Sequence, residues 1–164
     1  MSTDGSGPVE IDLDAGARGV DEAIVVLHAA FTEYGAHGEP SGAMVETSSS
    51  LRAELDAGTR LAVVRIDGTV VAMVKHQGAA DGTLSFGRLA ILPEVRGRGL
   101  ASGLVRALRA EARSMGLNGL SCSVRAAEAR NIAMYEHLGM TIVGREDRQS
   151  LTGAVIPVVV MRDA

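Results

Sequence analysis

Two apolar runs, Leu61-Ala62-Val63-Val64-Arg65-Ile66 and Thr69-Val70-Val71-Ala72-Met73-Val74, are separated only by Asp67-Gly68. Asp-Gly accepts the positive φ angles that a two-residue turn between antiparallel strands demands, so this stretch is a β-hairpin. The interior that covers it has little choice of filler. The 164 residues are 46% hydrophobic but only 2% aromatic, with no Trp, two Tyr and two Phe, which leaves Ala, Val, Leu, Ile and seven Met to pack the core. So few rings argue against a protein that stacks nucleic-acid bases. A net charge of −4 argues against a general attraction to phosphate backbones, so no nucleic-acid partner is expected and any phosphate site must be local.

The size suits one domain. Residues 1–8 read as a disordered tip and 9–164 as a single domain. Val9 to Asp12 alternate apolar and acidic, as a short first strand would. Val20, Ile24, Leu27 and Phe31 lie on one face of a helix spanning about 20–33. A Gly-, Pro- and Ser-rich loop follows over 36–44, and Thr47 or Ser48 caps a second helix that stops at Gly58. After the hairpin comes a strand over 83–92. From Gly99 the period changes, with Leu100, Leu104 and Leu108 repeating every fourth residue of a long helix. A strand over 118–124, a helix over about 127–137 and strands over 140–149 and 154–161 complete the order β-α-α-β-β-β-α-β-α-β-β. The Val158-Val159-Val160 end either completes the sheet or pairs across a homodimer.

The lone Cys122 excludes an internal disulfide and a cysteine-ligated zinc site, and reads as a packed thiol. His28, His37, His76 and His137 have no metal-ligand spacing, so no metal is expected. No apolar run approaches the ~20 residues that span a bilayer, and the first residues have no secretion-signal pattern, so the expectation is a cytoplasmic protein with no membrane partner.

The chemistry concentrates in Leu89-Ala90-Ile91-Leu92-Pro93-Glu94-Val95-Arg96-Gly97-Arg98-Gly99-Leu100-Ala101-Ser102, where a strand ends, a loop turns and a helix begins. The first turn of such a helix aims several N–H groups and the positive end of its dipole at one point. Glycines let an anion come close to that backbone, and Arg96 and Arg98 add positive charge. An ordinary strand-to-helix turn has the same elements. The dinucleotide fingerprint does not fit, because it belongs after the first strand of a βαβ unit, and a Walker loop is excluded because no Gly-Lys-Ser/Thr follows.

Arg96-x-x-Gly99-x-Ala101 after Pro93 resembles the acetyl-CoA signature of the GNAT superfamily of N-acetyltransferases. Asn131-Ile132-Ala133-Met134-Tyr135-Glu136-His137-Leu138-Gly139-Met140 resembles the same family's helix ending in Tyr-Glu-x-Leu-Gly-Phe, and the element order agrees over nearly the whole chain. The resemblance implies an α+β fold, an α/β/α sandwich around a mixed, mostly antiparallel sheet with a bulged and splayed strand pair. It implies acetyl-CoA as acyl donor, with its pantetheine arm along the backbone of Leu89, Ala90 and Ile91. Its pyrophosphate would lie on Arg96 and the amides of Gly97, Arg98, Gly99, Leu100, Ala101 and Ser102. Tyr135 would be the catalytic acid that protonates the departing thiolate.

The chain departs from the family pattern where relatives carry catalytic carboxylates: it has Ser85 on strand four and Ser123 on strand five. Glu128 stands where an Asn often contacts the cofactor, and Asn131, one turn later, takes that place. The base is then a water chain or one of Glu33, Glu46 and His76. The implied activity is acetyl transfer to a primary amine of a small molecule or peptide by direct attack. The alternative, prompted by the absent carboxylates, is a CoA-binding module without turnover.

Overall fold

The structure is a computed structural model and describes residues 7–32, 41–150 and 152–164. Seven strands form one sheet: β1 (Val9–Asp12), β2 (Arg60–Ile66), β3 (Thr69–Gly78), β4 (Leu84–Ile91), β5 (Leu120–Arg125), β6 (Met140–Gln149) and β7 (Val155–Asp163). Their spatial order is β1-β2-β3-β4-β5-β7-β6. Only β4 and β5 run parallel; every other neighbouring pair is antiparallel. Four helices cover the sheet: α1 (Val20–Phe31), α2 (Ser48–Asp56), α3 (Leu100–Ser114) and α4 (Ala129–His137). This is the α+β sandwich expected.

The hairpin forms as its turn residues require: Asp67 and Gly68 both have positive φ, at 52° and 80°, and Ile66 pairs with Thr69. Side-chain alternation then sorts β2 into two cores. Leu61 and Val63 face α1, packing with Ala23 and Leu27, whereas Ala62 and Val64 face α3, packing with Leu104 and Leu108. The helix over 100–114 buries the four-residue repeat of leucines read from the sequence. Thr47 caps α2 in a reciprocal capping box with Ser50. Residues 1–6 of the expected N-terminal tip lie outside the described residues, and Pro8 already accepts a hydrogen bond from the Asp67 amide at 3.4 Å.

Among the differences from the expected boundaries, two have clear local reasons. Residues 42–45 form a 3₁₀ turn inside the expected loop, because the Ser41 hydroxyl accepts the Ala43 amide at 3.1 Å. Strand β5 begins at Leu120 rather than 118, because the Asn118 amide is taken by the Gly82 carbonyl and Gly119 turns the chain at φ 86°. At that point Asp163 holds three elements together. It accepts from Arg109 Nε and Nη2 at 3.0 and 2.7 Å and from the Leu120 amide at 3.0 Å, while Arg109 also donates to the Leu138 carbonyl at 2.7 Å. Asp163→Ala leaves a part-buried guanidinium and an amide without their acceptor, and we expect it to lower the unfolding free energy by about 2–4 kcal/mol in urea denaturation. A loss below about 0.5 kcal/mol is what a solvent-screened surface pair would give.

Candidate active site

The site exists because the β4–β5 ladder is cut short. The two strands pair only at Leu84 with Leu120 and Ser85 with Ser121. Along β4 the register against β3 slips between Gly87 and Ala90, so β4 carries one extra residue there. Arg88 sits in this bulge with φ 56°, a left-handed conformation uncommon for a residue with a side chain. The bulge turns β4 away from β5 and opens a gap between them.

A cleft of about 490 Å³ occupies one end of the gap. Leu89 and Ile91 from β4, the 96–102 loop and helix start, and Asn131, Met134 and Tyr135 from α4 line it, with Phe31 from the end of α1. A smaller compartment of about 120 Å³ lies beyond, lined by Ser41, Phe86, Arg88, Cys122, Ser123, Arg125 and others. Phe31, Leu89, Glu128, Asn131 and Tyr135 line both. Tyr135 is 7% exposed and fixed by an edge-to-face contact with Phe86, ring centroids 5.6 Å apart.

The loop is built to receive an anion. Gly97 and Gly99 have φ of 81° and 76°, and a Cβ on either would meet no protein atom within 4 Å, so the space above their backbone is open. Gly99 is the N-cap of α3, the helix has no side-chain cap, and no acidic residue stands in its first turn. The first helical hydrogen bond runs from Gly103 to Gly99 at 3.0 Å, leaving the amides of Leu100, Ala101 and Ser102 ahead of it. Arg96 Nη2 donates to the Ala30 carbonyl at 3.3 Å and so ties the loop to the C-terminal end of α1. Open cradle, uncapped amides and adjacent guanidinium fit a pyrophosphate.

Of the twelve residues expected at the site, ten line the larger cleft: Leu89, Ile91, Arg96, Gly97, Gly99, Leu100, Ala101, Ser102, Asn131 and Tyr135. Ala90 and Arg98 do not. Ala90 is 1% exposed with its side chain in the α1-side core, because alternation along β4 turns it away from its neighbours at 89 and 91. Ala30, Phe31, Val95, Glu128, Arg130 and Met134 complete the lining without having been singled out as site residues; Phe31 belongs to the apolar stripe of α1, which reads as core.

None of the expected candidate bases that the structure describes lines either cleft. Glu33 lies outside the described residues. His76 is 2% exposed, bonded through Nε2 to the Leu13 carbonyl at 2.8 Å, and its Nδ1 has no partner among the described residues. Glu46 is held by Lys75 Nζ at 2.5 Å and Arg88 Nε at 2.7 Å. Burial alone would raise its pKa, but the hydrogen bond and charge of Lys75, with those of Arg88, outweigh burial and hold the carboxyl below the ordinary value of 4.5. Cys122 is a buried thiol whose pKa burial, with the charge of Asp163, pushes up to about 12. Among the described residues, no group of three or more metal-ligating side chains comes together, and no helix is long and apolar enough to cross a membrane.

The profile of the acetyltransferase (GNAT) family matches residues 25–140, well over half of the chain, and the chain belongs to that family. Solved structures share its fold at low identity. The ribosomal-protein-S18-alanine N-acetyltransferase of Escherichia coli is 19% identical with a TM-score of 0.75, over 95% of this chain and 93% of that one. The PaiA N-acetyltransferase of Thermoplasma acidophilum, solved in complex with coenzyme A, is 14% identical with a TM-score of 0.74, over 96% and 99%. A GNAT-family acetyltransferase of Streptococcus pneumoniae is 16% identical with a TM-score of 0.73, over 94% and 98%. No curated protein matches the sequence.

Two measurements follow. Gly99→Val puts a branched side chain into the open cradle and should weaken acetyl-CoA binding at least about tenfold in calorimetry; unchanged affinity in a folded variant would move the phosphates elsewhere. Because the folded pKa of Glu46 is depressed, its contribution to stability is present above the ordinary value and lost as pH falls through the lower one. Between about pH 5 and about pH 3 the unfolding free energy should therefore fall less for Glu46→Gln than for the parent chain. Equal slopes would show that the ion pairs with Lys75 and Arg88 do not stabilise the carboxylate.

Proposed function

We propose that the protein transfers the acetyl group of acetyl-CoA to a primary amine by direct attack, with Tyr135 as proton donor. The observation that carries this reading is the position of Tyr135, on the wall shared by the amide-lined cleft and the smaller compartment beyond. Leu89 and Ile91 offer a strand edge past the end of the β4–β5 ladder, along which a pantetheine arm can lie as an added strand. The amides of 97–102 with Arg96 hold the phosphates, and Asn131 closes the other wall. Acetyl-CoA, when bound, supplies a thioester whose carbonyl is open to attack.

The amine enters from the smaller compartment. It must shed a proton, and Glu128 is the carboxylate that lines both clefts among the described residues. It receives that proton directly or through water. The new C–N bond forms as the C–S bond breaks, and the Tyr135 hydroxyl gives its proton to the departing sulfur. Phenols ionise near pH 10, so a tyrosine hydroxyl is a neutral group that can donate a proton at neutral pH without special tuning. The remaining catalysis is orientation between two walls.

Incubation with acetyl-CoA and a panel of amines, followed by free thiol, tests the reading. Thiol release is expected; binding of acetyl-CoA with no release across a wide panel would instead mark a CoA-binding module. Tyr135→Phe keeps the packing against Phe86 and removes one oxygen, so it should lower kcat by about 10²–10⁴ with little change in acetyl-CoA affinity. Full turnover in that variant would show that the thiolate leaves unaided.

A further inference from the structure

Arg88 is the residue of the bulge, and the chain takes a strained conformation to place it. Its Nε is fixed on Glu46 Oε2 at 2.7 Å, and Glu46 is fixed in turn by Lys75, which also binds Glu54 at 2.9 Å. The far side of Arg88 passes over Gly42, where a Cβ would stand only 3.0 Å from Nη2. The 42–46 turn thus orients the guanidinium directly, and Lys75 on β3 and Glu54 on α2 brace that turn. Its side chain is still 37% exposed, it lines the small compartment, and its Nη groups make no hydrogen bond to the described residues. Four of its five donors are available in a planar fork, the geometry that receives a carboxylate in two parallel bonds. Arg125 lines the same compartment, and Glu128 is the acidic residue there.

We infer that the acceptor is a small amine carrying a carboxylate, of the amino-acid type, with its carboxylate on Arg88 and its amine toward Glu128 and Tyr135. This deepens the acetyl-transfer reading and rests on it. The compartment of about 120 Å³ has room for about four waters, which suits a compact zwitterion. The acidic charge of the whole chain points to a cationic amine, but the groups that touch the acceptor decide, and two of the three charged ones are guanidinium groups. Glu46 is a positioning residue that aims Arg88.

The test compares matched amines with the full chain: alanine, alaninamide and ethylamine, and the same series built on serine. We expect kcat/KM for the acids to exceed that for the amides and decarboxylated amines by about 10–100-fold, the worth of a charge-assisted hydrogen bond pair. Arg88→Gln should raise KM for the acid by a similar factor, leave KM for acetyl-CoA unchanged and abolish the preference. Glu46→Gln should act in the same direction on acceptor KM alone, more weakly. In parallel, calorimetry with CoA present should show N-acetylalanine binding and N-acetylalaninamide not, with the difference lost in Arg88→Gln. Equal use or binding of acid and amide, or an acid preference that survives Arg88→Gln, overturns the inference while leaving acetyl transfer intact. Arg88-dependent binding of the acid with no thiol release from any amine upholds the carboxylate site and overturns acetyl transfer.

Discussion

Parallel pairing between β4 and β5 ends after two residue pairs, and the site depends on that interruption. A complete ladder would have sealed the middle of the sheet with backbone hydrogen bonds. Instead the extra residue at Arg88 bends β4 outward, the strand edge beyond it becomes a binding surface, and the helix that follows β4 starts at the mouth of the gap. The cost of the gap is met on either side of it. The β2–β3 hairpin is buried on both faces, and the Asp163–Arg109 pair fastens β5 to α3 and to the end of α4. The strand that opens is therefore held between two parts of the fold that do not give way.

Charge is arranged in the same local manner. A chain of net −4 still presents amides, Arg96 and an uncapped helix start where phosphates would lie, and guanidinium groups in the small compartment. The carboxylate at the bulge points inward: Glu46 is only 11% exposed and is held by Lys75 and Arg88. Low local permittivity strengthens those contacts and lets a buried carboxylate serve as a fixed strut. The overall charge of the molecule says little about the ligands of its cleft.

Local chemistry was legible in the sequence wherever neighbouring residues decide the outcome. Asp67-Gly68 dictates its turn, the leucines at 100, 104 and 108 dictate a helix face, and the glycines at 97 and 99 dictate an open backbone. The larger cleft was largely readable for that reason. What escaped is long-range. Nothing in the spacing of positions 46, 54, 75 and 88 shows that they form one ion-pair network, since four elements bring them together. A left-handed arginine has no sequence signal of its own, and Phe31 looks like any other member of an apolar stripe. Ala90 was expected to meet the pantetheine arm through its backbone, and its side chain turns into the α1-side core because side chains along a strand alternate between its faces.

The lone cysteine acquires meaning from its place in the small compartment. With its pKa pushed up to about 12, the Cys122 thiol keeps its proton at neutral pH. Thiolates are the nucleophiles that thioesters exchange with most readily, and one beside the reacting carbonyl would capture the acyl group as a protein-bound thioester. Burial and the nearby Asp163 charge keep this sulfur silent. In the proposed direct transfer the acyl group therefore has no way-station on Cys122, and the kinetics expected of it are those of a ternary complex rather than of a ping-pong exchange.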